Sequence, residues 1–305
     1  MSYTYPAPPA RPTTDLTAVE VHNLMKSPAA LARRVRQLAD QKFIADFLLK
    51  GRYIAQGGAI LYETGEEIFP SDAPESVAPG GAFPKSVLTS GELAAAKTKK
   101  WGRDYPVTDE AISRMLRNPV DVALNKGTNG MVQFVDSVAL GVIGSKVTGS
   151  FAGGSWAEAD RIIEDVLLAK ATHEESNAGE GYNLDVAVLK PTQYAKVMAR
   201  LLNAGILPRE AANPINTGDF PNYLGLTWTT STHVPFTDPF LVDTENLGGM
   251  ADEDIQSPGY GSAGPVNVKS IRDEDHEKYD VRVRRVTVPV VREPNAGIRI
   301  TGTGV

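Results

Sequence analysis

Between Trp101 and Ile143 the chain reads WGRDYPVTDEAISRMLRNPVDVALNKGTNGMVQFVDSVALGVI, and few folds can hold such a stretch. It opens as a short extended segment, passes through a helical start, and continues as one long helix. Leu116, Val120, Leu124, Gly127, Met131, Val135, Val138 and Val142 follow at steps of four and three, which keeps one helix face apolar. Asp121, Asn125, Thr128, Asn129, Gln133 and Asp136 are expected largely on other faces. Asn118 followed by Pro119 is a cap and first-turn proline, so the helix should start there. To Ile143 it would run roughly 37 Å at 1.5 Å per residue. With glycines at 127 and 130 and no catalytic group, it reads as a structural spine.

Composition narrows the function classes. At 305 residues the chain can form two modest domains or one large one, and 42% hydrophobic content supplies a core. The absence of cysteine excludes disulfides, thiolate metal sites and cysteine nucleophiles. The opening MSYTYPAPPARPTT lacks a basic start and an apolar core, so no signal peptide is expected. No run approaches 18 apolar residues, so no transmembrane helix is expected either, and synthesis and folding in the cytosol follow as the expectation. A formal charge of −6 argues against a protein whose main task is gripping nucleic acid. It does not exclude proximity to DNA.

Along the chain, residues 1–26 read as an extended arm. Ser27-Pro28 opens a helix with Leu31, Val35 and Leu38 on one side and Arg33, Arg34 and Arg36 on another. It is expected to continue, with a break, through Phe43, Ile44, Phe47 and Leu48 to a stop at Gly51. Residues 57–107 read as a long two-stranded excursion with a Pro/Gly-rich tip, too thin in apolar residues to stand alone. Ser155-Trp-Ala-Glu158 reads as a capping box opening a helix with Ile162, Ile163, Val166 and Leu167 inward. LDVAVL at 184–189 is a buried-strand candidate, and Pro191 starts a helix that Gly205 ends. LTWTT at 226–230 and FLVD at 240–243 are further short strands, making 155–271 a mixed α/β region. The closing YDVRVRRVTVPVVREPNAGIRITG alternates as one half-buried antiparallel strand.

Candidate chemistry is sparse. Gly259, Gly261 and Gly264 match GxGxxG, but Ser257-Pro258 precedes and Pro265 follows, which reads as a loop entering a strand rather than a dinucleotide site. GGAFPK at 80–85 lacks the ending of a phosphate loop. His22, His173, His233 and His276 are scattered without metal-ligand spacing. Asp252-Glu253-Asp254 and Asp273-Glu274-Asp275 lack an EF-hand pattern and read as solvated loop charge. No G-x-S-x-G elbow is present. Arg282, Arg284 and Arg285 could touch phosphate, yet three arginines in four residues cannot share one strand face, so salt bridges to neighbours are the better reading. No catalytic residue, cofactor-binding residue, metal ligand or cofactor is expected.

The order of parts resembles the major capsid protein of tailed double-stranded DNA bacteriophages, the Hong Kong ninety-seven type of fold. That order is arm, short helix, hairpin excursion, spine helix, mixed α/β domain and final strand. WGRDYPVTDEAI, VDSVALGVI, DVAVLKPTQYAKVM and REPNAGIRITG look most like capsid proteins of phages that infect actinobacteria. The resemblance implies an α+β fold with an N-terminal arm and helix over 1–50 and an extended β-hairpin loop over 51–107. It implies a peripheral domain with the spine helix over 108–154 and 272–305, and an axial domain over 155–271. It further implies an icosahedral shell of pentamers and hexamers around the genome, located in the virion capsid and assembled in the host bacterial cytoplasm.

The implied partners are further copies of the chain, a scaffolding protein, a portal, packaged double-stranded DNA held by weak non-specific contact, and in some cases a decoration protein; no membrane is implied. Some relatives carry a scaffolding segment ahead of the arm. Only about 26 residues precede the first helix expected here, so a separate scaffold is the expectation. Some relatives join subunits through a lysine–asparagine isopeptide bond, for which Lys85, Lys97 and Asn295 would be the groups to watch. Rival readings are an encapsulin-like bacterial nanocompartment shell, a virion tail or decoration protein, and a two-domain hydrolase for which no nucleophile and base converge. Deleting residues 1–20, or replacing 66–86 by a short turn, should leave a soluble chain that forms no shells.

Overall fold

A computed structural model describes residues 17–39, 43–65, 76–77, 83, 85, 91–114, 119–176, 181–204 and 224–305, without the side chains of 36–39 and 263. Calls on the arm at 1–16, most of the loop tip (66–75, 78–82, 84 and 86–90), the Arg36 and Leu38 side chains, Leu116, Asn118 and Gly205 lie outside them. The described residues form an α+β fold of two compact units. One is drawn from Met1–Phe43, Thr98–Asp136 and Asp252–Thr287, the other from Ile44–Lys97, Ser137–Ala251 and Val288–Val305.

In the first unit, helix α1 (Ala18–Met25) occupies part of what reads as an extended arm. The overlooked signal is a capping box: the Thr17 side chain accepts from the Glu20 N–H, and Glu20 accepts from the Thr17 N–H. Helix α2 (Pro28–Ala39) starts at the expected proline and buries Leu31 and Val35. The extended segment before the spine is a ten-residue strand; in chain order β1 is Gly51–Ile54, β2 Ala59–Thr64, β3 Glu92–Lys97 and β4 Lys99–Thr108. The second strand-like region thus breaks at Thr98 into two strands with different partners.

Helix α3 (Ile44–Leu48) is separate from α2, and Gly51 begins a strand rather than stopping a helix. Its neighbour explains the glycine: a Cβ there would press on the Gly248 carbonyl oxygen at 2.8 Å and on Gly249 Cα at 3.1 Å.

Helix α4 (Asp109–Arg114) precedes the spine helix α5 (Pro119–Lys146), which begins at the expected residue and runs three residues beyond Ile143. Its apolar stripe holds through Val120, Leu124, Gly127, Met131 and Val135. Beyond that it shifts. Ala139, Leu140 and Ile143 are buried where Val138 and Val142 were expected, and Thr128 and Asp136 are buried although placed on polar faces by pattern. The first part of the helix belongs to one unit and the rest to the other, so the two parts answer to different cores.

Strands β5 (Ser150–Ala152), β6 (Val186–Leu189), β7 (Thr227–Thr230), β8 (Phe240–Val242), β9 (Gly248–Asp252), β10 (Gly261–Ala263), β11 (Val266–Asp273), β12 (Lys278–Val291) and β13 (Gly297–Thr301) follow, with helices α6 (Ala159–Glu175) and α7 (Pro191–Asn203). In the first unit β12 pairs with β4 on one side and β11 on the other, both antiparallel, and β10 closes the edge. In the second unit a sheet of order β5-β13-β8-β6-β7 carries the largest core cluster, including Trp156, Ile162, Val166, Leu189, Val197 and Leu241. The closing segment is therefore two strands in two sheets, not one. Alternation holds only from Lys278 to Val283; Val283 to Thr287 are all buried, because β12 is covered on both faces there. Helix α6 starts at Ala159 with Glu158 as its cap, so Ser155 caps nothing; the buried Trp156, whose N–H donates to Thr303 O at 2.8 Å, holds that turn instead.

Candidate interaction surfaces

Among the described residues no three histidine, cysteine, aspartate or glutamate side chains gather as metal ligands, and no helix is long and apolar enough to cross a membrane. His22 meets the Tyr279 hydroxyl, His173 is buried, His233 meets Thr232, and His276 pairs with Asp273. The glycines of GYGSAG lie in and around the β10–β11 hairpin, where Gly264 takes φ +65 at the turn. No helix follows them, so the dinucleotide geometry is not formed. Lys85, Lys97 and Asn295 are exposed.

The three arginines of β12 are each engaged. Arg282 makes a bidentate pair with Asp104 at 2.7 and 2.6 Å across the β4–β12 ladder. Arg284 donates to Ile255 O at 2.8 Å and stacks 3.6 Å from the Tyr260 ring centroid. Arg285 is fully buried, pairs with Asp252 at 3.0 Å and covers Phe43. The preference for internal partners over phosphate is thus met by two salt bridges and one aromatic stack.

The Arg282 hydrogen bonds hold the Asp104 carboxyl below the usual carboxylate range. A depressed folded value means the pair's contribution is complete above about pH 4 and is lost as pH falls through that lower value. Asp104→Asn should therefore flatten the acid limb of the unfolding curve, measured by denaturant titration at pH 5 and pH 3. Equal acid sensitivity in both proteins would dismiss the pair as a contributor.

Two surfaces remain open. Among the described residues of the second unit β2 and β3 form a sheet of two strands, paired from Ala59↔Lys97 to Thr64↔Glu92. One face of this hairpin sets Ile60, Tyr62 and Ala96 against Ala55, Ala251 and Val290. The other carries Leu61 and Leu93, exposed by 69% and 68%. In the first unit a groove of about 320 Å³ lies between β4 and α5, lined by Trp101, Arg103, Tyr105, Gly130, Met131 and Phe134 among others. Gly127 permits that approach: a Cβ there would meet Val283 Cγ2 at 2.9 Å and Tyr105 Cε2 at 3.0 Å.

A family model described as phage capsid protein matches residues 92–300, more than half of the chain. The chain belongs to the phage capsid protein family. This capsid protein also shares its fold with solved capsids. The capsid of cyanophage P-SCSP1u superposes with TM-score 0.58 at 12% identity, covering 85% of this chain and 87% of that one. A chain of Mycobacterium phage Adephagia gives 0.53 at 12%, covering 95% and 98%. The virus-like particle from Pyrococcus furiosus gives 0.57 at 9%, covering 88% and 97%. No curated protein matches in sequence. The fold is that of the Hong Kong ninety-seven type, and the capsid protein is a structural component of the virion shell that assembles with its own copies.

Sequence reasoning missed which hairpin face is free and missed the groove altogether. The signal for the first was present in the alternation of AILYET with ELAAAK, once their register is known. Trp101, Tyr105 and the two spine glycines were all visible in sequence, but only strand–helix packing joins them.

Proposed function

We propose that the capsid protein forms an icosahedral shell of pentamers and hexamers that encloses a double-stranded DNA genome, and that it catalyses no reaction. The observation that carries this reading is the β2–β3 hairpin. Among the described residues it is a two-stranded sheet that no third strand joins, with two leucines turned to solvent. A hairpin of that kind is marginal alone and suits a covering surface on an adjacent copy. In this reading residues 1–50 are the arm and helix, 51–107 the extended loop, 108–154 with 272–305 the peripheral domain, and 155–271 the axial domain meeting its copies at capsomer centres. Leu167, expected inward from the sequence, is instead exposed by 48% on α6, and with Leu168 at 44% it supports contacts between axial domains. Many modest interfaces repeated by symmetry give a strong wall from individually reversible contacts.

Assembly would take place in the host cytoplasm with a separate scaffold and a portal, with weak DNA contact and, where present, a decoration protein. Electron microscopy of the expressed chain tests the reading: closed shells support it, and tubes or monomers overturn it. A second reading, an encapsulin-like compartment, accommodates the likeness in fold to the Pyrococcus furiosus particle. Particles purified from infected cells with protein cargo and no DNA would decide for that one.

A further inference from the structure

We propose that the groove between β4 and α5 holds a short acidic segment of a partner polypeptide. A carboxylate of that segment meets Arg103, and a neighbouring apolar side chain sits among Trp101, Met131 and Phe134. This goes beyond the shell reading and does not depend on it, since every described residue lining the groove belongs to the first unit of a single copy.

Alternation along β4 puts Lys99, Trp101, Arg103 and Tyr105 on one strand face, and the last three line the groove. Arg103 is exposed, and among the described residues it has neither an ion pair nor a hydrogen bond. The Trp101 indole N–H and the Tyr105 hydroxyl likewise have no hydrogen-bond partner there. Lys99, also exposed, stands 5.9 Å from the Trp101 ring centroid and brings a second cation to the rim. The described lining contains no carboxylate. The groove thus gathers a cation and two donor groups in a chain whose overall charge is −6. The complement of that set is a carboxylate, whose two oxygens match the planar guanidinium fork.

The apolar half of the groove selects what accompanies the charge. Trp101 and Phe134 meet at 4.5 Å and 53°, so they form a corner rather than a flat shelf. Phe134 is still 42% exposed, and the flexible Met131 adapts the corner to different shapes. Gly130 leaves the floor open: a Cβ there would already lie 3.4 Å from the Tyr105 hydroxyl, so a larger side chain would fill the space. A corner accepts a branched or ring side chain, whereas a nucleobase needs an open ring face on which to stack. Trp, Tyr and Arg are also the residue types that carry most binding energy at protein–protein interfaces. At about 320 Å³ the groove suits an extended segment rather than a folded element.

The probe is a labelled peptide, acetyl-Ala-Asp-Leu-Phe-Glu-Ala-amide, titrated into the full chain and followed by fluorescence anisotropy. Its blocked ends leave side-chain carboxylates as its anionic groups. The expected result is saturable binding, about tenfold weaker for Arg103→Gln and for the same peptide with Asn and Gln in place of its acids. Gly130→Leu abolishes it. Trp156 and Trp228 are core residues, so the emission change on binding comes from Trp101 and vanishes in Trp101→Phe. The Arg103→Gln chain keeps the parent's thermal midpoint, because that side chain holds nothing within the described fold. Equal binding of the neutral peptide, equal binding by Arg103→Gln, or no binding by the parent overturns the proposal. Tighter binding of a short labelled oligothymidylate than of the peptide also overturns it and assigns the groove to nucleic acid. Particle formation, read by electron microscopy, is a separate measurement, so the shell reading stands or falls on its own.

Discussion

Serine at both Leu61 and Leu93 abolishes shell formation and leaves the unfolding midpoint of the soluble capsid protein unchanged; that is the expected result of the most informative double substitution. Leu61 stands opposite Ala95 and Leu93 opposite Glu63, so the two leucines share one hairpin face, and both are exposed there among the described residues. The opposite face, with Ile60, Tyr62 and Ala96, supplies the hairpin's internal packing and is untouched. Burying a leucine side chain is worth about 1.5–3 kcal/mol. Lost at every copy, that is enough to dissolve a wall built of repeated modest contacts. Particle yield by electron microscopy and the midpoint by thermal melting give the two readouts. Normal particles from the double variant would refute the role assigned to the hairpin.

Trp156→Ala acts in the opposite way, on the fold itself. Trp156 is fully buried beside Ile162, Val166 and Ile300. Its indole N–H donates to Asp165 Oδ2 at 3.0 Å, and Arg200 donates to its carbonyl oxygen. The Asp165 side chain is itself wholly buried, accepting also from Gly154 N–H at 2.8 Å and pairing with Arg161. Truncation empties a ring-sized volume, at a cost of about 3–5 kcal/mol, and weakens the satisfaction of a buried carboxylate, which adds about 1–3 kcal/mol. Trp156→Phe keeps most of the volume and isolates the second term. Urea titration of the two variants separates them. An alanine variant as stable as the parent would mean this cluster does not hold the second unit together.

A correction to the arm deletion follows from the capping box. Removing residues 1–20 takes away Thr17 and the first turn of α1 as well as the arm, so a loss of shells could report on folding. Ending the deletion at residue 16 removes only the arm.

What was legible in the sequence depended on local signals. Asn118-Pro119, Ser27-Pro28 and Pro191 marked three helix starts, because a proline in the first turn constrains its own backbone whatever surrounds it. Val186–Leu189 announced a strand buried on both faces by being apolar throughout. The Thr17 and Ser155 patterns have the same form, yet only the first caps a helix. At Ser155 the burial of Trp156 four residues before the helix interior decides the turn, and no window of neighbouring residues contains that fact.

The candidate surfaces divide in the same way. From the sequence alone came the spine helix and the strands of the hairpin, since each depends on periodicity or on backbone restriction within a few residues, while the α+β class came from the resemblance in the order of parts. Only the tertiary structure decided where the β3–β4 break falls, how β12 and β13 part into different sheets, and why Arg284 and Arg285 are buried on a strand that reads as half exposed. It alone joined Trp101 and Tyr105 to Gly127 and Gly130. Pairing and burial are settled by residues far apart in the chain, and the free energy that selects them exists only once those residues meet.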